Sequence, residues 1–127
     1  FFNEFESIAV VGASNKLDRP SNQVAQFLID NGFNVFIVNP LEENVLGQTC
    51  YPSIQDLPQS VDIVDIFRRN ENVFEVAEDA IKSNAKVIWM QLGIVHEASA
   101  EKATDHGLTV VMDKCIKIEY QKLIDQK

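Results

Sequence analysis

The 127 residues include three arginines, Arg19, Arg68 and Arg69, and all three stand in segments that follow apolar runs of strand character. A guanidinium offers a planar fork of donors matched to phosphate or carboxylate oxygens, where a lysine supplies a point charge. The formal net charge is −8, so gathering every arginine into two loops reads as a local anion clamp in an otherwise repellent field. The plain alternative is that Arg68 and Arg69 lie in a solvated loop opposite surface carboxylates. A second anion-binding device is the run Gly12-Ala13-Ser14-Asn15-Lys16-Leu17-Asp18-Arg19-Pro20-Ser21. Gly12 permits a tight turn, and a helix opening at Pro20-Ser21 offers N–H groups and the positive end of its dipole to a phosphate or pyrophosphate. Gly12 is the only glycine of this loop, so neither the dinucleotide fingerprint nor the Walker lysine motif is present. A loop of this kind can also simply turn the chain.

Asn39 stands where a nicotinamide-dinucleotide site carries an acidic residue for the ribose hydroxyls. A neutral amide still bonds a hydroxyl without repelling an extra phosphate, which favours a ligand with a phosphorylated ribose. Equally, Asn39-Pro40 is a common way to start a turn. His96 and His106 have no cysteine or carboxylate partners at metal-like spacing, which argues against a zinc site or a catalytic triad and for helix-capping roles. Ser14 lacks the glycine two places on that a nucleophile elbow needs and is left as a hydrogen-bonding group. Cys115, beside Asp113 and Lys114, is the one side chain with plausible reactivity, against the alternative of a structural thiol. Cys50 reads as structural, Trp89 as core, and Glu42-Glu43 as a solvated loop.

These groups must be positioned by regular elements. The continuous apolar run Ile8–Val11 and similar runs at Val35–Val38, Ile63–Phe67, Val87–Met90 and Leu108–Met112 read as strands buried on both faces. Between them, Val24, Phe27 and Leu28 mark a helix from Pro20-Ser21 to Asn31-Gly32. Val73, Val76, Ala77, Ala80 and Ile81 mark a second, capped by Asn72 with Glu75 or by Asn70. Ala98–Ala103, stopped by Gly107, gives a third, and Ile116, Tyr120, Leu123 and Ile124 give a last. Pro52 and Pro58 bracket a weak helix signal at 54–57, preceded by a short edge strand around Gln48–Tyr51. Two-face-buried strands alternating with helices pack as right-handed βαβ units. The expected fold class is therefore α/β, a Rossmann-like, doubly wound, mainly parallel sheet of five or six strands in a single domain spanning 1–127. Its ligand site belongs outside the carboxyl ends of the strands.

With 46% hydrophobic and 24% charged residues the chain sits in the globular range. Its acidic balance disfavours nucleic acid, and no apolar run approaches the ~20 residues of a membrane span. Two cysteines 65 positions apart, with no leader-like segment before the first strand, make a reduced cytoplasmic setting the expectation. The expected partner is a small molecule.

The succession Val-Gly-Ala-Ser at 11–14, Arg-Pro-Ser at 19–21, Val-Asn-Pro at 38–40, Asp-Ile-Phe-Arg-Arg at 65–69, Trp-Met-Gln-Leu-Gly at 89–93 and Met-Asp-Lys-Cys-Ile-Lys-Ile-Glu at 112–119 resembles the small stand-alone CoA-binding proteins (YccU-like). More distantly it is similar to the CoA-binding domain of the succinyl-CoA synthetase alpha subunit. The resemblance implies coenzyme A lying across the strand ends. Gly12, Ala13 and Ser14 would approach the pyrophosphate, with Arg19, Pro20 and Ser21 at the helix start. Asn39 and Pro40 would flank the adenosine, and Phe67, Arg68 and Arg69 would line the opposite wall. Met90 and Gln91 would face the pantetheine arm. Cys115 occupies the place of a synthetase cysteine beside the CoA thiol, which makes a mixed disulfide with CoA a testable possibility. The synthetase lysine after the second strand is missing, since this chain reads Leu41-Glu42-Glu43, and Arg19 or Lys16 would substitute. Succinyl-CoA synthesis itself needs a phosphorylatable histidine from a further domain, so the expectation is a non-catalytic CoA or acyl-CoA binder. The competing readings are an NAD(H)-binding redox-sensing module, disfavoured by Asn39 and the arginines, and an interaction module with a vestigial pocket.

Overall fold

The computed structural model describes residues 2–126, apart from the Asn70 side chain. Strands β1 (Ser7–Val11), β2 (Asn34–Val38), β3 (Asn44–Val45), β4 (Gln48–Tyr51), β5 (Ile63–Ile66), β6 (Val87–Met90) and β7 (Thr109–Val111) alternate with helices α1 (Pro20–Asp30), α2 (Asn70–Lys82), α3 (Glu97–Asp105) and α4 (Ile116–Asp125). The sheet order is β3-β4-β2-β1-β5-β6-β7, parallel throughout except for the antiparallel β3–β4 pair. This is the expected Rossmann-like α/β fold, with seven strands instead of five or six. The extra one arises because Leu46 and Gly47 both take positive φ, 55° and 74°, and close a two-residue hairpin between Val45 and Gln48. A two-residue strand and a leucine in a left-handed turn leave little trace in a sequence.

Alternation along the strands divides the core into two layers. Ala9, Val11, Val64, Ile66, Ile88 and Met90 face Val73, Ala77 and Ala80 of α2 and Ala103 of α3. Ile8, Val10, Ile37, Ile63, Val87 and Trp89 face Val24, Ala25 and Leu28 of α1 and Ile116 of α4. Tyr120 docks α4 edge-on against Phe2, Phe27 and Phe33 at centroid distances of 5.2, 6.0 and 5.3 Å. Helix α2 starts at Asn70 with Arg69 in the capping position and no side-chain cap, so the expected Asn72–Glu75 box does not form. Its start is fixed by the packing of Val73 and Ala77 instead. His96 does cap α3, its Nδ1 accepting from the Ser99 N–H at 3.2 Å. His106 closes the same helix, with Nδ1 2.8 Å from the Lys102 carbonyl. No described helix is long and apolar enough to cross a membrane.

Candidate functional site

β1 lies between β2 and β5, so the chain leaves its carboxyl end in opposite directions and opens a crevice there. Gly12 sits at the opening with φ 92°. A Cβ at this position would lie 2.6 Å from the Phe67 carbonyl oxygen and 3.1 Å from Arg68 Cδ, so the loops after β1 and β5 pass too closely for any side chain. The Gly12 N–H donates to the Val38 carbonyl at 2.8 Å and the Phe67 N–H to the Val11 carbonyl at 2.9 Å, which knits the three strand ends together.

The loop from Gly12 to the start of α1 is pinned by residues of the helix itself. The Ser14 N–H donates to Ser21 Oγ at 3.0 Å, and Asn22 Nδ2 donates to the Ser14 carbonyl at 2.8 Å. The Lys16 N–H donates to Ser14 Oγ at 3.1 Å. Pro20 fills the first helical position behind an extended Arg19, and no side chain caps the turn. On the far wall, Asp113 in the left-handed region (φ 56°) accepts the Gly93 N–H at 2.7 Å. Trp89 Nε1 donates to the Lys114 carbonyl at 2.7 Å. These bonds hold Cys115 at the tip of α4, facing the crevice.

The result is a cleft of about 560 Å³ lined by Gly12, Ser14, Lys16, Arg19, Pro20, Ser21, Val24, Phe67, Arg68, Arg69, Gln91, Leu92, Ile94 and Cys115. Among the described residues, four cations and no carboxylate line it. The ion pairs among the described residues are Lys86–Asp62, Lys102–Glu78 and Lys122–Glu119, so among these residues no arginine is paired with a carboxylate. Arg68 Nε is moreover a buried donor with no protein partner, a state that is unfavourable until an acceptor arrives. A somewhat larger cavity, about 600 Å³ between β7 and α4, is lined by none of the residues that follow β1 or β5.

Ten of the fourteen residues singled out from the sequence thus line one cleft: Gly12, Ser14, Arg19, Pro20, Ser21, Phe67, Arg68, Arg69, Gln91 and Cys115. Four do not. Ala13 is fully buried in the α1 layer. Met90 is fully buried in the α2 layer, because adjacent strand residues face opposite ways and only Gln91 can turn to the cleft. Asn39 is buried and uses both ends of its amide on backbone: Nδ2 donates to the Ala13 carbonyl at 2.8 Å and Oδ1 accepts the Leu41 N–H at 2.9 Å. It ties the loop after β2 to the loop after β1. Pro40 lines a smaller cleft of about 250 Å³, with Val11, Pro52, Ser53, Ile54, Glu75, Val76 and Asp79, that shares only Arg68 with the main one.

Two side chains of the site are given no role by the sequence reading. Asn22 acts through a contact eight residues away. Asp65 opens the Asp-Ile-Phe-Arg-Arg stretch at 65–69 as an acid set into an apolar run, and neither feature says what it does. Fully buried on β5, Asp65 accepts Gln91 Nε2 at 2.6 Å through Oδ1, while Oδ2 has no partner. Burial pushes its carboxyl up to about 8, outweighing the opposite pull of the Gln91 amide. Cys50 lies apart on β4; burial, then Glu42, push its thiol up. Both cysteines are free.

The profile of the family described as "CoA binding domain" matches residues 6–121. The chain belongs to the CoA-binding domain family. It is similar to the uncharacterized protein YneT of Bacillus subtilis, at 38% identity over 113 residues, 89% of this chain and 84% of that one. It is 35% identical over 109 residues to acetate–CoA ligase (ADP-forming) II of Archaeoglobus fulgidus, covering 84% of this chain but 16% of the ligase. Among solved structures, a hypothetical protein from Pyrococcus horikoshii OT3 superposes with a TM-score of 0.94 at 38% identity, over 97% of this chain and 87% of the other. Family membership and the region shared with the ligase support association with CoA. The similarity to the ligase is confined to that one region.

Proposed function

We propose that the protein is a non-catalytic binder of coenzyme A or an acyl-CoA. The observation that carries this reading is the convergence of Arg19, Arg68, Arg69 and Lys16, none paired with a carboxylate, on the Gly12 cleft of a chain whose net charge is −8. Phosphates suit these groups by charge and fork geometry, and Gly12 lets a diphosphate approach the backbone. The apolar side of the cleft, Val24, Phe67, Leu92 and Ile94, suits the pantetheine arm, with Gln91 as a polar contact and Cys115 near the sulfur end. The adenosine would turn past Arg68 towards Pro40 and Ile54 in the smaller cleft.

The absence of turnover is supported by where the candidate groups are used. Ser14 Oγ is engaged by the Lys16 N–H, and both histidines serve helix ends. Calorimetry with CoA, dephospho-CoA and NADH tests the assignment. CoA should bind more tightly than either other ligand, because the extra 3′-phosphate on the adenosine ribose can pair with Arg68 where the two clefts meet. Equal or tighter binding of NADH would transfer the site to a dinucleotide, and no heat with any ligand would leave an interaction module. For the thiol, CoA disulfide should leave a Cys115–S–S–CoA adduct with release of one CoA thiol, and the adduct should be missing in Cys115→Ser.

A further inference from the structure

Among the described residues Gln91 is the one amide side chain lining the cleft, and its orientation is set from below. Asp65 lies beneath it, flanked in register by Val10 on β1 and Trp89 on β6. Its single polar partner is the Gln91 amide. The titratable groups that share the cleft are Lys16, Arg19, Arg68, Arg69 and Cys115, and burial governs the Asp65 proton affinity. In the structure Gln91 donates Nε2 to Asp65 at 2.6 Å, which leaves Oε1 as the amide end the carboxylate does not hold. An ionised carboxylate enforces that orientation, because Oε1 against a carboxylate would place two acceptors in contact. A protonated carboxyl has an O–H to give as well as an oxygen to accept with, so it tolerates the amide either way round.

We propose that Asp65 is a positioning residue whose proton decides which end of the Gln91 amide the ligand meets. Protonated, Asp65 donates to Gln91 Oε1 after a half-turn of the amide, and Nε2 is released to donate to a ligand carbonyl, amide or thioester. Ionised, it reclaims Nε2, and the cleft floor offers an acceptor only. The proton passes to and from solvent and no bond other than O–H changes. The ligand half of this proposal rests on the CoA reading; the relay itself does not.

Two measurements on the intact chain decide it. In the ligand-free protein, the ¹⁵N side-chain amide signal of Gln91 should step with pH around a midpoint of about 8 in the wild type and stay flat in Asp65→Asn, which is isosteric and does not titrate. A flat wild-type titration overturns the relay, and it needs no variant to fold. In parallel, the affinity for CoA is measured at pH 6.5 and 9.5 in both proteins, the ratio of the two cancelling every pH effect that does not pass through Asp65. Wild-type affinity should fall about tenfold further than that of Asp65→Asn. A constant ratio overturns the selection of a ligand carbonyl. Loss of CoA binding at every pH in both proteins would instead overturn the CoA reading, and with it the ligand half alone.

Discussion

Asp62 precedes β5 and Asp65 sits within it, three residues on, yet they belong to opposite ends of the sheet and to opposite kinds of chemistry. Asp62 Oδ2 accepts the Glu6 and Ser7 N–H groups at 2.8 and 3.3 Å, and Oδ1 lies 3.3 Å from Lys86 Nζ. Its own N–H donates to Ser7 Oγ. Burial raises its carboxyl, but those two N–H groups and Lys86 together outweigh it and hold it below its ordinary value. Asp65 has one partner and an idle oxygen, and near it the loops carry three arginines without carboxylates and the orphan Arg68 Nε. The amino end of the sheet is satisfied by its own chain. The carboxyl end is left unmatched, and unmatched polar groups are what a ligand can complete.

The contrast is sharpest in the pH dependence of stability. An unfolded Asp65 releases its proton in the ordinary carboxylate range, while the folded one holds it to about 8. Between those values the folded state carries the extra proton, so stability falls as pH rises, by up to ~1.4 kcal/mol per pH unit from this group. Thermal unfolding of Asp65→Asn followed from pH 5 to 8 should lack that decline; a slope equal to wild type would mean that Asp65 ionises freely. The next largest effect is expected at the crevice. Gly12→Ala combines a left-handed backbone with a carbonyl oxygen at 2.6 Å and should cost about 3 kcal/mol or more in a denaturant melt. An unchanged midpoint would show that the loops after β1 and β5 part easily.

At the cationic wall, Arg68→Ala should weaken CoA binding by about 1.5–3 kcal/mol, roughly 10- to 150-fold, with little change in melting temperature. Unaltered affinity would remove Arg68 from the clamp. Asp62→Ala should do the reverse: about 2 kcal/mol of stability lost at neutral pH and ligand affinity retained. Because the folded Asp62 is more acidic than the unfolded one, its contribution is present above the ordinary carboxylate range and fades as pH falls through the folded value. The wild type and the variant should therefore converge in acid. Equal stability at pH 7 would break the separation between the two ends.

Much of this was legible in the residue order, and the misses share a cause. Buried parallel strands announce themselves as apolar runs, so β1, β2 and β6 fall within one residue of their sequence-derived bounds. The arginine cluster was legible because only three exist and the fold class says where strand ends converge. What stayed hidden depends on direction and on distant partners. Met90 and Gln91 are neighbours in a motif but face opposite layers. Asn39 has the chemistry for a ribose, yet its amide is consumed by Ala13 and Leu41, twenty-six and two residues away. Asn22 and Asp113 matter through single bonds to Ser14 and Gly93 that no local pattern encodes. Asp65 passed for part of an apolar strand, since only burial beneath Gln91 gives its charge a meaning.

Hydrogen–deuterium exchange with and without saturating CoA tests the division between the two ends of the sheet most directly. Protection should appear in 12–21, 67–69, 91–94 and 115–117, the segments that follow the strands. Residues 6–7, 61–62 and 86, where the chain already satisfies itself, should exchange unchanged. Protection confined to those amino-end segments, with the arginine loops unaffected while CoA is bound, would contradict the account.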